Sequence, residues 1–177
     1  MVTLGKTAVV YKSKTGFTEK YARWIAGELT ADLFEASRVN VEMLQPYDTL
    51  IYGGGLYIVG LNGVKLITKN LDQFQGKRVI VFATGASPVQ EKTIKIIKDK
   101  NFTPREQEQI TFFYLRGGFD YHKCKPFDKV LINTLVFALK RKKELTPDER
   151  GMLEVCNNPA DFTRKEYIGE IIDYVNS

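Results

Sequence analysis

Five short apolar runs are spaced along the chain, and helical periodicity fills most of the gaps between them. The runs fall at about residues 6–12, 32–36, 47–53, 77–83 and 109–115. The third, Tyr47-Asp48-Thr49-Leu50-Ile51-Tyr52-Gly53, is apolar enough to be a central strand covered on both faces. After the first run Tyr21, Ala22, Ile25, Ala26 and Leu29 recur at three and four residues, which predicts a helix over 17–29 with one buried face. Further helices are expected at about 62–71 and 89–100, the second with Pro88 at its start. Thr103-Pro104-Arg105-Glu106 has the spacing of a capping box and opens a short helix before the last run. Val41, Met43 and Leu44 lie in a segment too brief to assign. Strands alternating with helices predict an α/β fold, a doubly wound five-stranded parallel sheet in the order 2-1-3-4-5. A chain of 177 residues fits one domain, taken here as 1–177.

In such a sheet ligands bind beyond the carboxyl ends of the strands. The first of those ends opens into Ser13-Lys14-Thr15-Gly16-Phe17-Thr18, directly before the 17–29 helix. Hydroxyls of Ser13, Thr15 and Thr18 can converge with the unpaired N–H groups of the first helical turn on one phosphate, and Gly16 permits a tight turn. A hydroxyl-rich turn that merely caps the helix would have the same composition. Neither the Gly-x-x-x-x-Gly-Lys-Ser/Thr nor the Gly-x-Gly-x-x-Gly spacing follows this strand, so the two best-known nucleotide loops are excluded. The third strand runs into Gly53-Gly54-Gly55-Leu56-Tyr57, expected as a turn that approaches a flat ring with Leu56 or Tyr57 over its face. A receiver domain would carry an aspartate there; this strand ends Tyr52-Gly53. The fourth opens into Thr84-Gly85-Ala86-Ser87-Pro88.

The Ser-x-Thr-Gly-x-Thr pattern after an N-terminal strand resembles the FMN-phosphate loop of the flavodoxin family. That resemblance implies FMN as cofactor, with Ser13, Lys14, Thr15, Gly16, Phe17 and Thr18 at its phosphate. It places Gly54, Gly55, Leu56 and Tyr57, and Thr84, Gly85, Ala86 and Ser87, at its isoalloxazine. It implies electron transfer or oxidoreduction, in which the flavin does the chemistry and no side-chain acid–base pair is required. A redox partner protein is then expected.

About 116–160 is an insertion after the fifth strand. Leu115-Arg116, Tyr121 and an apolar helix over about 127–142 resemble the quinone-dependent protoporphyrinogen oxidase (dehydrogenase) branch of the same family. The resemblance implies an alternative, a porphyrinogen-like substrate with a quinone acceptor, in which Arg116, Lys123 and Lys125 meet substrate carboxylates. A third reading is a non-catalytic interaction module that keeps the fold and binds no flavin.

The insertion helix has only a narrow polar stripe, Lys129, Asn133 and Lys140, and ends in Lys140-Arg141-Lys142-Lys143. It is expected to be buried on more than one side, against the domain or a second copy in a homodimer, or to lie at a membrane interface with its basic flanks on anionic lipid. The net charge of +5 favours an anionic partner, but no motif points to nucleic acid. No apolar run is long enough to span a bilayer and no leader is evident, so a cytoplasmic protein with peripheral membrane contact is expected.

Two cysteines, Cys124 and Cys156, and one histidine, His122, offer no metal spacing. His122, Lys123 and Lys125 could lower the thiol pKa of Cys124; the plainer reading is an incidental surface cysteine, as His122 is an incidental surface histidine. Thr146-Pro147-Asp148-Glu149 and Thr163-Arg164-Lys165-Glu166 repeat the capping-box spacing, and Ile168, Ile171, Ile172 and Val175 form the core stripe of a final helix.

Overall fold

The computed structural model describes residues 5–57 and 59–177. β1 (Thr7–Lys12) runs into α1 (Phe17–Leu29), and β2 (Asp32–Glu35) returns beside β1. A single turn, α2 (Val41–Leu44), precedes β3 (Thr49–Tyr57), whose tip folds back through β4 (Gly60–Leu61). α3 (Lys65–Thr68) leads to β5 (Arg78–Gly85), and α4 (Glu91–Asn101) and α5 (Pro104–Gln109) lead to β6 (Ile110–Arg116). Then follow β7 (Gly118–Phe119), α6 (Pro126–Lys140), α7 (Pro147–Asn157), β8 (Ala160–Asp161) and α8 (Gly169–Asn176).

The sheet order is β2-β1-β3-β5-β6, every neighbour parallel. Counting the parallel strands alone, this is the expected 2-1-3-4-5. Successive side chains of a strand point to opposite faces, and here both faces are covered. Val10, Tyr52 and Val81 enter one cluster with Phe74, Ile97 and Tyr114. Their neighbours Val9, Ile51 and Ile80 enter another with Tyr21 and Ile25 of α1 and Ile171 and Val175 of α8. That is why the strand sequences read as continuous apolar runs.

The departures have local causes. β3 does not stop at Gly53 but carries Gly54, Gly55, Leu56 and Tyr57 as strand, so the expected glycine turn is absent. Those glycines make room for neighbours: a Cβ on Gly53 would collide with the Phe82 ring, and one on Gly54 would lie 2.8 Å from the Asn62 carbonyl oxygen. β5 likewise absorbs Thr84 and Gly85. The helix expected over 62–71 shrinks to Lys65–Thr68 and a 3-10 turn at Leu71–Phe74. Gly63, at φ +75°, cannot belong to a right-handed helix and delays its start. α4 begins at Glu91, so Pro88 lies outside its first turn.

The boxes at Thr103 and Thr146 form with both reciprocal bonds. The one at Thr163 does not. Asp161 Oδ1 accepts from the Thr163 N–H at 2.8 Å and from its hydroxyl at 2.6 Å, and the chain enters a 3-10 turn at Lys165–Ile168 instead. α6 is not buried on more than one side: Asp128 and Leu139 are its buried residues.

Gly53→Ala should destabilise the fold by about 1–3 kcal/mol, the usual cost of overpacking, and Phe82→Leu in the same chain should recover part of it. Urea unfolding midpoints of the two variants test this.

Candidate functional site

The register of β1, β3 and β5 sets three chain ends side by side. Lys12 stands opposite Gly54, Gly54 opposite Ala83, and Gly55 opposite Thr84. The loop of residues 13–18 therefore leaves the sheet next to the tip of β3 and the end of β5.

Within that loop Gly16 holds φ +96°, and its N–H donates to Ser13 Oγ at 3.0 Å. No side chain caps α1. Among the described residues the N–H groups of Thr15, Phe17 and Thr18 find no acceptor. A thirteen-residue helix thus presents free donors and the positive end of its dipole at this edge. Of the three hydroxyls named from the sequence, Ser13 accepts from Gly16, Thr15 is half-buried without a partner among the described residues, and Thr18 turns inward. Thr18 Oγ1 lies 2.7 Å from Thr84 Oγ1, both residues buried. That bond ties the 13–18 loop to the end of β5. Gly55 lies against it, since a Cβ there would stand 3.3 Å from Thr18 Oγ1.

Lys14 reaches across 114 residues. Its Nζ donates to both carboxylate oxygens of Asp128 at 3.0 Å and stands 4.9 Å from the centre of the Tyr57 ring. Asp128 is only 6% exposed and lies in the first turn of α6. A buried carboxylate needs such a partner, and the helix start adds further support. Phe17 supports the start of the insertion: a Cβ on Gly118 would approach Phe17 Cε1 to 2.7 Å, and one on Gly117 would lie 3.5 Å from Phe17 Cβ.

The stretch after β5 is held through its carbonyls. Gly117 N–H donates to Gly85 O at 2.7 Å, Arg116 Nε to Ala86 O at 3.2 Å, and the Tyr114 hydroxyl to Ser87 O at 2.8 Å. Burial pushes the Tyr114 phenol up to about 12, so it stays a donor at any physiological pH. Arg116 also stacks on Phe162 at 3.8 Å. The buried Tyr21 hydroxyl donates to Arg116 O at 2.6 Å and accepts from the Arg164 N–H at 3.3 Å.

The structure thus brings all three sequence-named segments to one edge and adds Asp128 and Tyr114 as their supports, while Arg116, named from the sequence for substrate carboxylates, is turned to Ala86 O and Phe162. Asp128 left one signal, an acid in the first turn of an otherwise apolar helix. Tyr114 is indistinguishable in sequence from the other aromatics of its strand.

Cys124 is not activated by its basic neighbours, the alternative weighed against an incidental cysteine. Burial foremost, then the Asp128 carboxylate, pushes its thiol up, outweighing Lys129 and Lys14. Lys123 is drawn instead towards Asp120, 3.9 Å away. His122 is exposed. Among the described residues no group of three or more His, Cys, Asp or Glu side chains is placed to hold a metal. A shallow depression of about 350 Å³ between Glu28, Lys165 and Ile172 borders α1 and α8, apart from these loops.

Comparison with known proteins bears on the whole arrangement. The sequence model of the Flavodoxin domain family matches residues 8–146. An uncharacterized protein of Methanocaldococcus jannaschii is 32% identical over 149 residues, covering 72% of this chain and 98% of that protein. Among solved structures, the flavodoxin, WrbA-like protein from Agrobacterium tumefaciens superimposes with a TM-score of 0.49 at 16% identity, over 86% of this chain and 94% of its own. A flavoprotein in complex with FMN from Lactobacillus acidophilus gives 0.43 at 16% identity, over 63% and 92%. Likenesses this distant say nothing about the ligand of this chain.

Thr18→Val and Thr84→Val should each leave a buried hydroxyl without its partner and cost about 1–3 kcal/mol. The double variant should cost less than the two together, which a double-mutant cycle by thermal unfolding would measure.

Proposed function

The chain belongs to the Flavodoxin domain family, and from that premise we propose that it binds FMN at the carboxyl edge of its sheet and acts in electron transfer or oxidoreduction. The observation that carries this reading is the start of α1, where the N–H groups of Thr15, Phe17 and Thr18 are unengaged beside the Thr15 hydroxyl. Such donors with a helix dipole behind them suit a phosphate. Ser13, Lys14, Thr15, Gly16 and Phe17 would hold it, while Thr18 braces the loop against Thr84. Lys14 is already engaged by Asp128, so the amides and the dipole carry most of the attraction.

Gly54, Gly55, Leu56 and Tyr57 on one side and Thr84, Gly85, Ala86 and Ser87 on the other would flank the ring. Lys14 stands over one face of Tyr57, and a flavin ring would stack on the opposite face. Tyr114 and Arg116 fix the Ala86 and Ser87 carbonyls, so the amides of that loop are held in place for the polar edge of a ring. When bound, the flavin supplies one- or two-electron chemistry, and the protein tunes it through these contacts. A redox partner protein would complete the function.

A narrower reading, a porphyrinogen-like substrate with a quinone acceptor, draws on cations close to that edge. Arg116 is held beside the Thr84–Ser87 loop by Ala86 O and Phe162, and Lys125 forms no ion pair among the described residues. Turnover of a porphyrinogen with a quinone would separate an enzyme from a carrier. An interaction module without flavin is the rival from another class.

Titration of the purified protein with FMN, read by quenching of flavin fluorescence, tests the proposal. Saturable binding is expected, weaker for riboflavin by about 10- to 100-fold, the worth of hydrogen bonds to a charged group. Thr15→Ala should weaken FMN several-fold, and Gly16→Val more, because valine resists the φ of +96°. Absence of flavin binding in folded protein overturns the proposal and leaves the interaction module.

A further inference from the structure

α6 turns its apolar residues away from the domain. Phe127 is 73% exposed, Val130 63% and Phe137 57%, with Leu131 and Leu135 exposed as well. At 100° per residue these five share one arc of the helix. Thr134, the polar residue within that arc, donates its hydroxyl back to Val130 O at 2.9 Å. Lys129 and Lys140 project from the opposite side, and Asp128 is buried. An apolar face this wide calls for a cover.

Charge identifies the cover. The chain carries +5, but residues 121–143 alone carry +6, seven Lys or Arg against Asp128, so everything outside that stretch sums to −1. Cations flank the apolar face at both ends, Lys123 and Lys125 before it and the run from Lys140 to Lys143 after it. Lys123 lies 3.9 Å from Asp120 and Lys142 donates to Glu149 at 2.6 Å, which leaves Lys125, Arg141 and Lys143 at the ends outside any ion pair among the described residues. Arg141 lies over the Phe137 ring at 4.2 Å, which keeps its charge at the rim of that face. Two copies of the chain meeting here would oppose two strongly positive segments. A protein partner is ordinarily read through about one hydrogen bond per 100–200 Å² of interface, and this arc offers no free polar side chain to read. An anionic lipid surface needs no such register and meets positive charge at both ends.

We propose that α6 lies in the headgroup region of an anionic bilayer, its Phe127–Phe137 face among the acyl chains and Lys125, Arg141 and Lys143 at its two ends on the phosphates. Its fifteen residues rise about 22 Å against a hydrocarbon core of about 30 Å, so it rests in the surface and does not cross. No helix among the described residues is long and apolar enough to cross a membrane. Because Asp128 holds Lys14, one end of the docking face adjoins the 13–18 loop.

The test is flotation of the full chain with unilamellar vesicles of phosphatidylcholine, with and without phosphatidylglycerol. Binding to the anionic vesicles is expected, weaker by about tenfold or more on the neutral ones. Phe127→Ser with Phe137→Ser should lose about tenfold or more on anionic vesicles with little change in the thermal melt, since more than half of each residue's surface already faces water. Lys125→Gln with Lys143→Gln should narrow the difference between the two vesicle types. Folded wild-type protein that floats with neither, or a double-serine variant that binds undiminished, overturns the proposal. A dimer in analytical ultracentrifugation that the serine variant dissolves, without vesicle binding, would reassign the face to a second copy of the chain.

Discussion

The parallel register of β1, β3 and β5 is the constraint on which the candidate site depends. Because Lys12, Gly54 and Ala83 lie in one row across the sheet, segments far apart in sequence emerge together. Glycine makes that row possible at β3, where Phe82, Leu61 and the Asn62 carbonyl occupy the space side chains would need. The Thr18–Thr84 hydroxyl pair and the Gly117–Gly85 backbone bond then fasten adjacent segments to one another. A fault in the row would displace all three at once.

The insertion is attached to this edge as well. Lys14 and Asp128 join the 13–18 loop to the first turn of α6. Asp128 is the buried member of this pair, so losing Lys14 would leave a buried carboxylate uncompensated, whereas the Lys14 side chain, 40% exposed, keeps access to water. The pair therefore fixes where α6 begins relative to the loop, while the rest of that helix extends apolar residues into water. The 13–18 loop and the exposed apolar face thus meet at one end of one helix.

Local patterns made most of the fold legible. α1 spans the residues its periodicity marked, and the boxes at Thr103 and Thr146 cap their helices as their spacing requires. Thr163 has the same spacing, but the Asp161 carboxylate outcompetes it, a contest invisible to a four-residue pattern. The glycines after Tyr52 read as a turn because glycine favours turns, whereas here they are strand residues, Gly53 against the Phe82 ring and Gly54 against Leu61 and the Asn62 carbonyl. The site was legible as three segments but not as a network. Nothing in sequence tells that Thr18 faces Thr84, that Lys14 seeks Asp128, or that burial outweighs neighbouring lysines at Cys124. The apolar helix was read correctly as apolar; its own domain leaves most of it uncovered, and composition does not say which other surface it meets.

The central claim is that the start of α1 is a phosphate cradle. Phosphorus NMR of FMN bound to the protein, followed between pH 5 and 8, tests it most directly. Donors at a helix start favour the dianion, so the bound resonance should keep one shift across a range in which a free phosphate ester titrates near 6. A bound resonance that titrates as the free ester does would mean that the phosphate lies in solvent and that α1 does not hold it.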